Sequence, residues 1–262
     1  MSISSARIDE FAQQLDAAAR ERRAISKITD VEPSLTLDHG YDVQWALRSR
    51  RLAAGAKLTG LKMGLTSRAK MKQMNVPAPI YGFLLDEYYV PTDSTISTAS
   101  LIHPRIEPEI ALVTRHELTG PGCTIAHALA AIDFVLPAIE VIDSRYADFK
   151  FDLPSVVADN ASSARYVVGG SARRVEDVDL RTLGVVVEKN GEGVAFGAGA
   201  AVLGHPAESL AMLANLLAAR EQVVPAGTFV MTGGITEAIA VQAGDRCSAR
   251  FQALGSVSVR FE

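Results

Sequence analysis

The chain has 262 residues, of which 48% are hydrophobic and 21% are charged. This composition excludes a predominantly disordered chain and is enough for one large domain with a sizeable core. A formal net charge of -4 provides no basic surface for phosphate backbones, so the sequence predicts no nucleic-acid partner and favours a small-molecule ligand.

Cysteine usage and the N-terminal segment indicate a chain that works inside the cell. Cys123 and Cys247 lie far apart, without a CxxC motif or a Cys/His neighbour, which predicts neither a zinc site nor a disulfide framework. The first 23 residues alternate charged with apolar positions and contain no continuous apolar run. They predict neither a signal peptide nor a membrane span, so we expect a cytoplasmic protein with no membrane partner.

The N-terminal region predicts two helices. Apolar residues recur at intervals of three and four between Ile8 and Leu15, after serines that can cap a helix. A second helix is predicted from about Asp38 to a stop at Gly55. Together they predict a small helical N-terminal subdomain, which we place at residues 1–75.

The rest of the chain, residues 76–262, is predicted to form a β-domain. Short apolar runs separated by turn residues begin at about residue 58 and continue to the C-terminus. The sequence KNGEG at 189–193 predicts a hairpin, because Asn-Gly favours the turns that match strand twist. Two later helices are predicted, one at 124–132 and one beginning at Pro206. The pattern is typical of a large mixed β-structure with peripheral helices.

Two acidic residues, Glu107 and Glu109, are separated by a single residue within a predicted strand. Side chains two residues apart on a strand point to the same face, with Cβ atoms roughly 7 Å apart. One interpretation is a solvated strand face, because charges also protect sheet edges. The other is a pair of carboxylates that lean toward a shared cation.

A third acidic residue, Glu140, favours the interpretation that these carboxylates bind a cation. It lies within an almost continuous apolar strand, FVLPAIEVID, where an unpaired charge would be costly. A divalent cation held by Glu107, Glu109 and Glu140 would compensate that charge. Ligation by oxygen alone, without His or Cys, favours magnesium or manganese over zinc.

Three further segments offer polar groups for a substrate. Lys62 lies between apolar neighbours in TGLKMGLTS and is either a solvent-facing strand lysine or a functional cation. The stretches VADNASS and MTGGIT follow apolar strands and are either simple turns or sites for a carboxylate. Their candidate substrate-binding residues are Asn160, Ser162, Thr232 and Gly233.

Taken together, these motifs resemble the hydratase/decarboxylase branch of the fumarylacetoacetate hydrolase superfamily. The resemblance covers nearly the whole chain and is carried by LKMGLTSRAKMKQM, IEPEIA, PAIEVIDSRYADFKFDLPSVVADNASS, GAGAAVLGHP, MTGGIT and LGSVSVRF. It implies an α+β fold with a mixed β-roll and a helical N-terminal part. It also implies a magnesium or manganese ion bound by Glu107, Glu109 and Glu140, with Lys62 as the active-site lysine.

The resemblance is stronger to the decarboxylases of this branch than to its hydratases. It implies metal-dependent decarboxylation of a dicarboxylic 2-oxo acid, 2-oxohex-3-enedioate, in the meta-cleavage route of aromatic degradation. A homo-oligomer is expected, together with a complex between the decarboxylase and the hydratase that acts on its product. Hydration of 2-hydroxypenta-2,4-dienoate is the alternative activity, and a non-catalytic subunit that supports a hydratase is the third interpretation.

One departure from the hydratase pattern involves Ile80, which is also a candidate substrate-binding residue. The sister hydratases carry an aspartate two residues before the glycine that corresponds to Gly82, whereas PIYGFL has Ile80 at that position. An acid suited to water chemistry is therefore missing. This position favours the decarboxylase interpretation over the hydratase.

Overall fold

The fold combines helices with two β-sheets. We analysed a computed structural model, which describes residues 3–73, 76 and 78–262, with residues 69, 70 and 73 described by their backbone alone. The helices are α1 (Ser5–Glu21), α2 (Ile28–Val31), α3 (Leu37–Ala53), α4 (Arg68–Gln73), α5 (Ile125–Ala131), α6 (Leu153–Ala158) and α7 (Pro206–Ala218). The strands are β1 (Leu58–Gly64), β2 (Ile80–Leu85), β3 (Tyr89–Pro91), β4 (Thr95–Ile96), β5 (Arg105–Thr114), β6 (Ile132–Ile142), β7 (Ser163–Val168), β8 (Arg173–Arg174), β9 (Gly184–Lys189), β10 (Glu192–Ala198), β11 (Phe229–Met231), β12 (Ile239–Ala240), β13 (Arg246–Phe251) and β14 (Gly255–Phe261).

The larger sheet is mixed and has the order β2-β1-β11-β5-β6-β7-β3, with β12 paired to β5 and β8 paired to β6. The smaller sheet has the order β10-β9-β13-β14-β4, and its β13 and β14 pack against β6. Apolar side chains from both sheets and from α7 form one core. The prediction of an α+β fold with a mixed β-structure is confirmed.

The N-terminal helices α1 and α3 pack against each other, and α3 also packs against α6. Ser4 caps α1, because its side chain accepts a hydrogen bond from the backbone N–H of Arg7. Buried residues of α1 such as Phe11 and Leu15 join a second apolar cluster that continues to Tyr146 beyond β6. The two predicted N-terminal helices are therefore confirmed, and their apolar faces bury against the rest of the chain.

The predicted boundary between residues 1–75 and 76–262 stays a prediction. Residue 75 lies outside the described residues, as does Met74 of the LKMGLTSRAKMKQM motif. Strand β1 lies on the N-terminal side of that boundary, where it pairs antiparallel with β2 and parallel with β11. The strand that carries Lys62 is thus part of the larger sheet.

The predicted hairpin is confirmed. Strands β9 and β10 are joined by Asn190 and Gly191, which have φ angles of 56° and 86°. Positive φ at both turn residues is the conformation that Asn-Gly favours. The two predicted later helices also form, as α5 and α7.

Three short helices, α2, α4 and α6, form where the sequence pattern predicted none. Each has six residues or fewer, which is too short to show a helical apolar period. A local signal did exist for α6, since Asp152 accepts a hydrogen bond from the backbone N–H of Ser155 as its N-cap, and Pro154 occupies the first turn. Among the described residues, no helix is long and apolar enough to cross a membrane.

Candidate active site

Strands β5 and β6 bring the three predicted glutamates together. Glu107 and Glu109 project from the same face of β5, and the antiparallel register places Glu140 of β6 directly opposite Glu107. One carboxylate oxygen from each residue lies within 4.8 Å of the others. Glu109 and Glu140 are fully buried, and Glu107 is half-buried. The structure therefore contains the cluster that the spacing of Glu107 and Glu109 suggested.

Lys62 lies against this cluster and is itself buried. Its Nζ lies 2.7 Å from Oε2 of Glu140, an ion-pair distance that does not meet hydrogen-bond geometry, and it donates a hydrogen bond of 3.1 Å to the carbonyl of Ala161. The ammonium group is therefore held by one ion pair and one hydrogen bond. The solvent-facing interpretation of Lys62 is wrong for this structure, because its side chain points into the carboxylate cluster.

Curvature of the larger sheet makes this contact possible. Strands β11 and β5 lie between β1 and β6 in the strand order. In a flat sheet, three strand spacings would separate β1 from β6 by roughly 14 Å, far more than a lysine side chain can bridge. The sheet curls so that the inner faces of β1 and β6 approach each other, and a glycine at position 82 leaves room beside Lys62. A Cβ atom at Gly82 would lie 3.3 Å from Cγ of Lys62 and 2.7 Å from Oδ1 of Asn160.

The electrostatics of the cluster favour a cation. Burial raises the pKa of Glu109 well above its usual value, and the neighbouring charge of Glu140 raises it further. Burial lowers the pKa of Lys62, but the three glutamates outweigh burial, so the net shift of that pKa is upward. Three carboxylates and one ammonium carry a net charge of -2 when all are ionised. A divalent cation would neutralise the group.

Carboxylate oxygens without partners give a second reason to place a metal ion here. Oε1 of Glu109 and Oε1 of Glu140 are buried and have no hydrogen-bond partner among the described residues. Buried polar atoms normally have a hydrogen-bond partner or a bound ion, so a metal ion would give each of these oxygens the partner it lacks. Hard oxygen ligands of this kind suit magnesium or manganese. The residues present therefore fit the predicted ion.

The segment that directly follows β11 supports the cluster. The backbone N–H of Gly233 donates a hydrogen bond of 2.7 Å to Oε2 of Glu109. Gly233 has a φ angle of 105°, and a Cβ atom there would lie 2.0 Å from Oγ1 of Thr66, so only glycine fits. Gly233 was predicted to bind substrate, and in this structure its N–H binds the carboxylate of Glu109. Thr232 uses its hydroxyl to donate to the carbonyl of Ile110 at 2.8 Å, which positions the backbone.

The turn at residues 160–162 holds Lys62 from the other side. Asn160, Ala161 and Ser162 all have positive φ angles, between 50° and 59°. Consecutive non-glycine residues in this region store strain, which is typical of functional sites. The amide of Asn160 is engaged with the backbone of Phe83, to which it donates and from which it accepts, at 3.0 and 2.8 Å. The Ser162 hydroxyl is buried without a hydrogen-bond partner among the described residues, so it is the polar side chain of this turn that is available to a ligand.

A buried ion pair that the sequence reasoning missed fixes this turn. Arg145 pairs with the carboxylate of Asp159 and also donates to the carbonyls of Asp143, Asp159 and Ser163. Both side chains are buried. The signal was an aspartate directly after the apolar SVVA of α6, since a buried acid needs a partner. The role of Ala161 could not be found in this way, because it acts through its main-chain carbonyl.

Ile80 lies opposite Gly64 in the ladder between β1 and β2, and it is buried. It is two residues from Gly82, the register partner of Lys62. Gly234 lines a cleft of about 740 Å³, and a Cβ atom at Gly234 would lie 3.0 Å from Cδ of Glu107. Gly234 therefore connects the lining of this cleft with the surroundings of Glu107, although none of the three glutamates lines the cleft itself.

Comparisons with known proteins agree with this architecture. Residues 60–262 match the family model described as fumarylacetoacetate (FAA) hydrolase C-terminal. The chain is 58% identical to a 4-oxalocrotonate decarboxylase of Pseudomonas putida over 96% of this chain and 95% of that protein. It is 39% identical to a 2-hydroxypent-2,4-dienoate hydratase of Pseudomonas putida over 80% of this chain and 95% of that protein.

A solved structure shows the same fold. It is the 4-oxalocrotonate decarboxylase from Pseudomonas putida G7 complexed with magnesium and adipate, which is 55% identical, with a TM-score of 0.98 and coverage of 100% of this chain and 99% of that chain. The family model spans both strand β1 with Lys62 and strands β5 and β6 with the glutamates. With this match over most of its length, the chain belongs to the fumarylacetoacetate hydrolase family.

Proposed function

We propose that the protein is a metal-dependent carboxy-lyase that converts 4-oxalocrotonate, 2-oxohex-3-enedioate, to 2-hydroxypenta-2,4-dienoate and CO2. The observation that carries the proposal is the cluster of three glutamates, two of them buried, with Nζ of Lys62 at 2.7 Å from Glu140. The 58% identity to a 4-oxalocrotonate decarboxylase, against 39% to a hydratase, supports decarboxylation as the reaction.

Glu107, Glu109 and Glu140 would hold a magnesium or manganese ion in this proposal. When bound there, the ion would supply Lewis-acid stabilisation of the negative charge that develops on the 2-oxo acid end of the substrate as CO2 leaves. The protein keeps the three carboxylates fixed through the β5–β6 register and the N–H of Gly233. These supports pre-position the ligands, so that little reorganisation is needed when the substrate binds.

Lys62 would stabilise the negative charge that forms when the C5–C6 bond of the substrate breaks. The electrons of that bond move through C4 and C3 to the C2 oxygen, which becomes the hydroxyl of the product after it gains a proton. The ammonium group of Lys62, fixed by Ala161 and Glu140, places a positive charge beside that oxygen or donates the proton. Its upward pKa shift keeps it protonated at neutral pH.

The remaining predicted residues would complete the substrate site. The Ser162 hydroxyl, which has no described partner, would bind a polar group of the substrate, and Ile80 would contribute to an apolar wall that favours departure of neutral CO2. Asn160 and Thr232 would act mainly by holding the backbone around the site, because their side chains already bind main-chain groups. Gly233 would act through its N–H.

We also propose a cytoplasmic location for the protein and association with other subunits. A cytoplasmic location is consistent with two buried cysteines that form no disulfide. A homo-oligomer, and a complex with the hydratase that consumes the dienol product, remain predictions from the family resemblance. The complex with the hydratase would keep the dienol product close to the active site that consumes it.

The decisive experiment is product identification with the purified protein, magnesium and 2-oxohex-3-enedioate. We expect release of CO2 and accumulation of 2-hydroxypenta-2,4-dienoate, with slow hydration of that dienol. The reason is that hydration requires an acid or base positioned for water chemistry, which Ile80 cannot provide. Rapid hydration of the dienol without CO2 release from the dicarboxylate would establish the hydratase instead. Inactivity on both compounds, with metal bound, would favour the non-catalytic subunit.

A further inference from the structure

We propose that a second cavity, remote from the glutamate cluster, binds a small oxyanion with carboxylate or phosphate chemistry. This arginine cavity has a volume of about 330 Å³ and lies between the C-terminal end of α1, α3 and the start of β7. Five arginines contribute to its lining, namely Arg20, Arg22, Arg51, Arg145 and Arg165. Planar guanidinium groups match the paired oxygens of carboxylates and phosphates.

Three of these arginines are compensated by carboxylates. Arg145 pairs with Asp159, as described above. Arg51 contacts Asp16 at 3.1 Å and Glu87 at 2.9 Å. Arg20 also contacts Asp16, at 3.1 Å. Arg51 and Arg20 therefore share two acids, and together these three arginines add no net charge to the cavity.

Arg22 and Arg165 are different, because neither has a carboxylate within ion-pair distance among the residues that the structure describes. Arg22 donates to the carbonyl of Ala99 at 3.0 Å, and Arg165 donates to the carbonyl of Ala164 at 2.8 Å. Each guanidinium has five N–H donors, so one backbone contact leaves most of them available. These two side chains are the ones that a bound anion would engage.

The one acid that lines the cavity is already engaged by backbone groups. Asp143 accepts hydrogen bonds from the N–H groups of Ile102 and His103, at 2.9 and 2.7 Å. Counting Asp143 with the three acids that pair with the arginines, five guanidinium groups face four carboxylates. The cavity therefore has an excess positive charge even when Asp143 is included.

A buried hydroxyl gives independent support for a ligand. Ser163 contributes to the lining of the arginine cavity, is 2% exposed, and its Oγ has no hydrogen-bond partner among the described residues. A hydroxyl can donate to an anionic oxygen, and a buried polar atom without a partner calls for an explanation. A small oxyanion bound by Arg22 and Arg165 would offset the excess charge, and Ser163 is the lining residue that could add a hydroxyl donor to it.

The arginine cavity is separate from the glutamate cluster. Arg165 lies opposite Val141 in the β6–β7 ladder, whereas Glu140 lies opposite Tyr166. Because side chains alternate along a strand, Arg165 points to the face of the sheet opposite to that of Glu140. An anion at Arg165 would thus leave the glutamates accessible, and this inference does not depend on the proposed reaction.

Calorimetric titration of the magnesium-loaded protein at low ionic strength would test the site, with inorganic phosphate in one arm and succinate in the other. We expect saturable binding that weakens as sodium chloride is added, because the arginines are partly exposed. Arg22→Gln and Arg165→Gln should each weaken binding by about tenfold, as expected for loss of one charge-assisted contact. The tighter of the two anions identifies the source as phosphate or dicarboxylate.

Arg48→Gln is the matched control. Arg48 also lacks a carboxylate partner among the described residues, but it stacks near Trp45 and lines a different cavity, so its substitution should leave the affinity within about twofold. Ser163→Ala is a milder variant that tests the same site without changing charge. Unchanged affinity in Arg22→Gln, Arg165→Gln and Ser163→Ala would place any bound anion elsewhere, including the glutamate site, and overturn the proposal. Absence of saturable binding would do the same.

Discussion

At the scale of single residues, the position of Lys62 shows how burial and neighbouring charges compete. A buried ammonium without partners would lose its proton, but Lys62 lies between Glu140 and the carbonyl of Ala161. The carboxylates raise its pKa despite burial, so it remains a cation where the substrate is proposed to bind. A fixed charge in a site that excludes water acts more strongly than the same charge in solvent.

Replacing Lys62 by methionine tests this role. Methionine retains most of the side-chain volume but has no charge, so decarboxylation should slow by roughly 10² to 10³, the scale of losing one donor to a developing oxyanion. The measurement is kcat for CO2 release, with circular dichroism and metal content checked for each protein. Lys57→Met, at an exposed position just before β1, is the control and should have normal kcat. A normal rate in Lys62→Met would remove Lys62 from the mechanism.

At the scale of elements, helix α7 begins at a histidine that should make stability depend on pH. His205 is its N-cap and accepts a hydrogen bond of 3.0 Å from the N–H of Ala207 through Nδ1, which requires a neutral ring. Burial lowers the pKa of His205, although Asp179 acts in the opposite direction. The unfolded chain therefore takes up a proton at a higher pH than the folded protein. The free energy of unfolding should fall as pH drops through the normal histidine pKa toward the folded value.

The variant His205→Asn keeps a capping acceptor but cannot titrate. We expect its free energy of unfolding to change less than that of the wild type between about pH 7.5 and 5.5, measured by urea denaturation at a series of pH values. His116→Asn, at an exposed position outside any helix, is the control for loss of a histidine. An equal pH dependence in wild type and His205→Asn would show that another group is responsible.

The segment that follows β11 gives a second prediction at this scale. Gly233→Ala would place a Cβ atom 2.0 Å from Oγ1 of Thr66, at a φ angle that disfavours alanine. The displaced backbone would also weaken the N–H contact to Glu109. We expect a loss of stability greater than the roughly 1–2 kcal/mol of the backbone conformation alone, together with weaker magnesium binding.

Gly227→Ala is a matched control for this substitution. Gly227 also has a positive φ angle, 76°, but a Cβ atom there would meet nothing within 4 Å. Its variant should lose only the backbone contribution and should bind magnesium normally. Urea denaturation and a magnesium titration of both variants give the comparison. Equal effects of the two substitutions would mean that close packing at Gly233 has no role.

At the scale of the whole molecule, the curled sheet places four ionisable groups in one interior site. The three glutamates and Lys62 have a net charge of -2 when all are ionised, so burial and repulsion between the carboxylates should destabilise the metal-free protein. We predict that exhaustive chelation abolishes CO2 release and lowers the unfolding temperature, and that magnesium or manganese restores both. Zinc should restore activity poorly, because every ligand is a carboxylate oxygen.

The variant Glu109→Gln removes one carboxylate from the cluster and tests whether the metal acts at this site. Its unfolding temperature should respond less to magnesium than that of the wild type, because a ligand and its charge are lost. Full activity in protein shown by metal analysis to be free of metal would contradict the metal-dependent mechanism.

The sequence by itself determined the features that depend on local periodicity. Alternation along a strand placed Glu107 and Glu109 on one face, and the Asn-Gly pair located the hairpin between β9 and β10. Apolar spacing located α1, and Pro206 located the start of α7. These signals act over a few residues, where the chain geometry leaves few choices. The cost of an unpaired charge in the apolar strand FVLPAIEVID added Glu140 to the glutamate pair, and the family resemblance added Lys62, whose role spacing alone could not decide.

Only the tertiary structure decided how these distant pieces meet. The register that sets Glu140 opposite Glu107, and the curl that brings Lys62 to Glu140, depend on pairing between strands that are far apart in sequence. The same applies to Asn160, whose amide could have faced a substrate but instead binds Phe83, and to Ala161, which acts through its carbonyl. Local sequence does not encode these contacts, because they are selected by burial and hydrogen bonding over the whole fold.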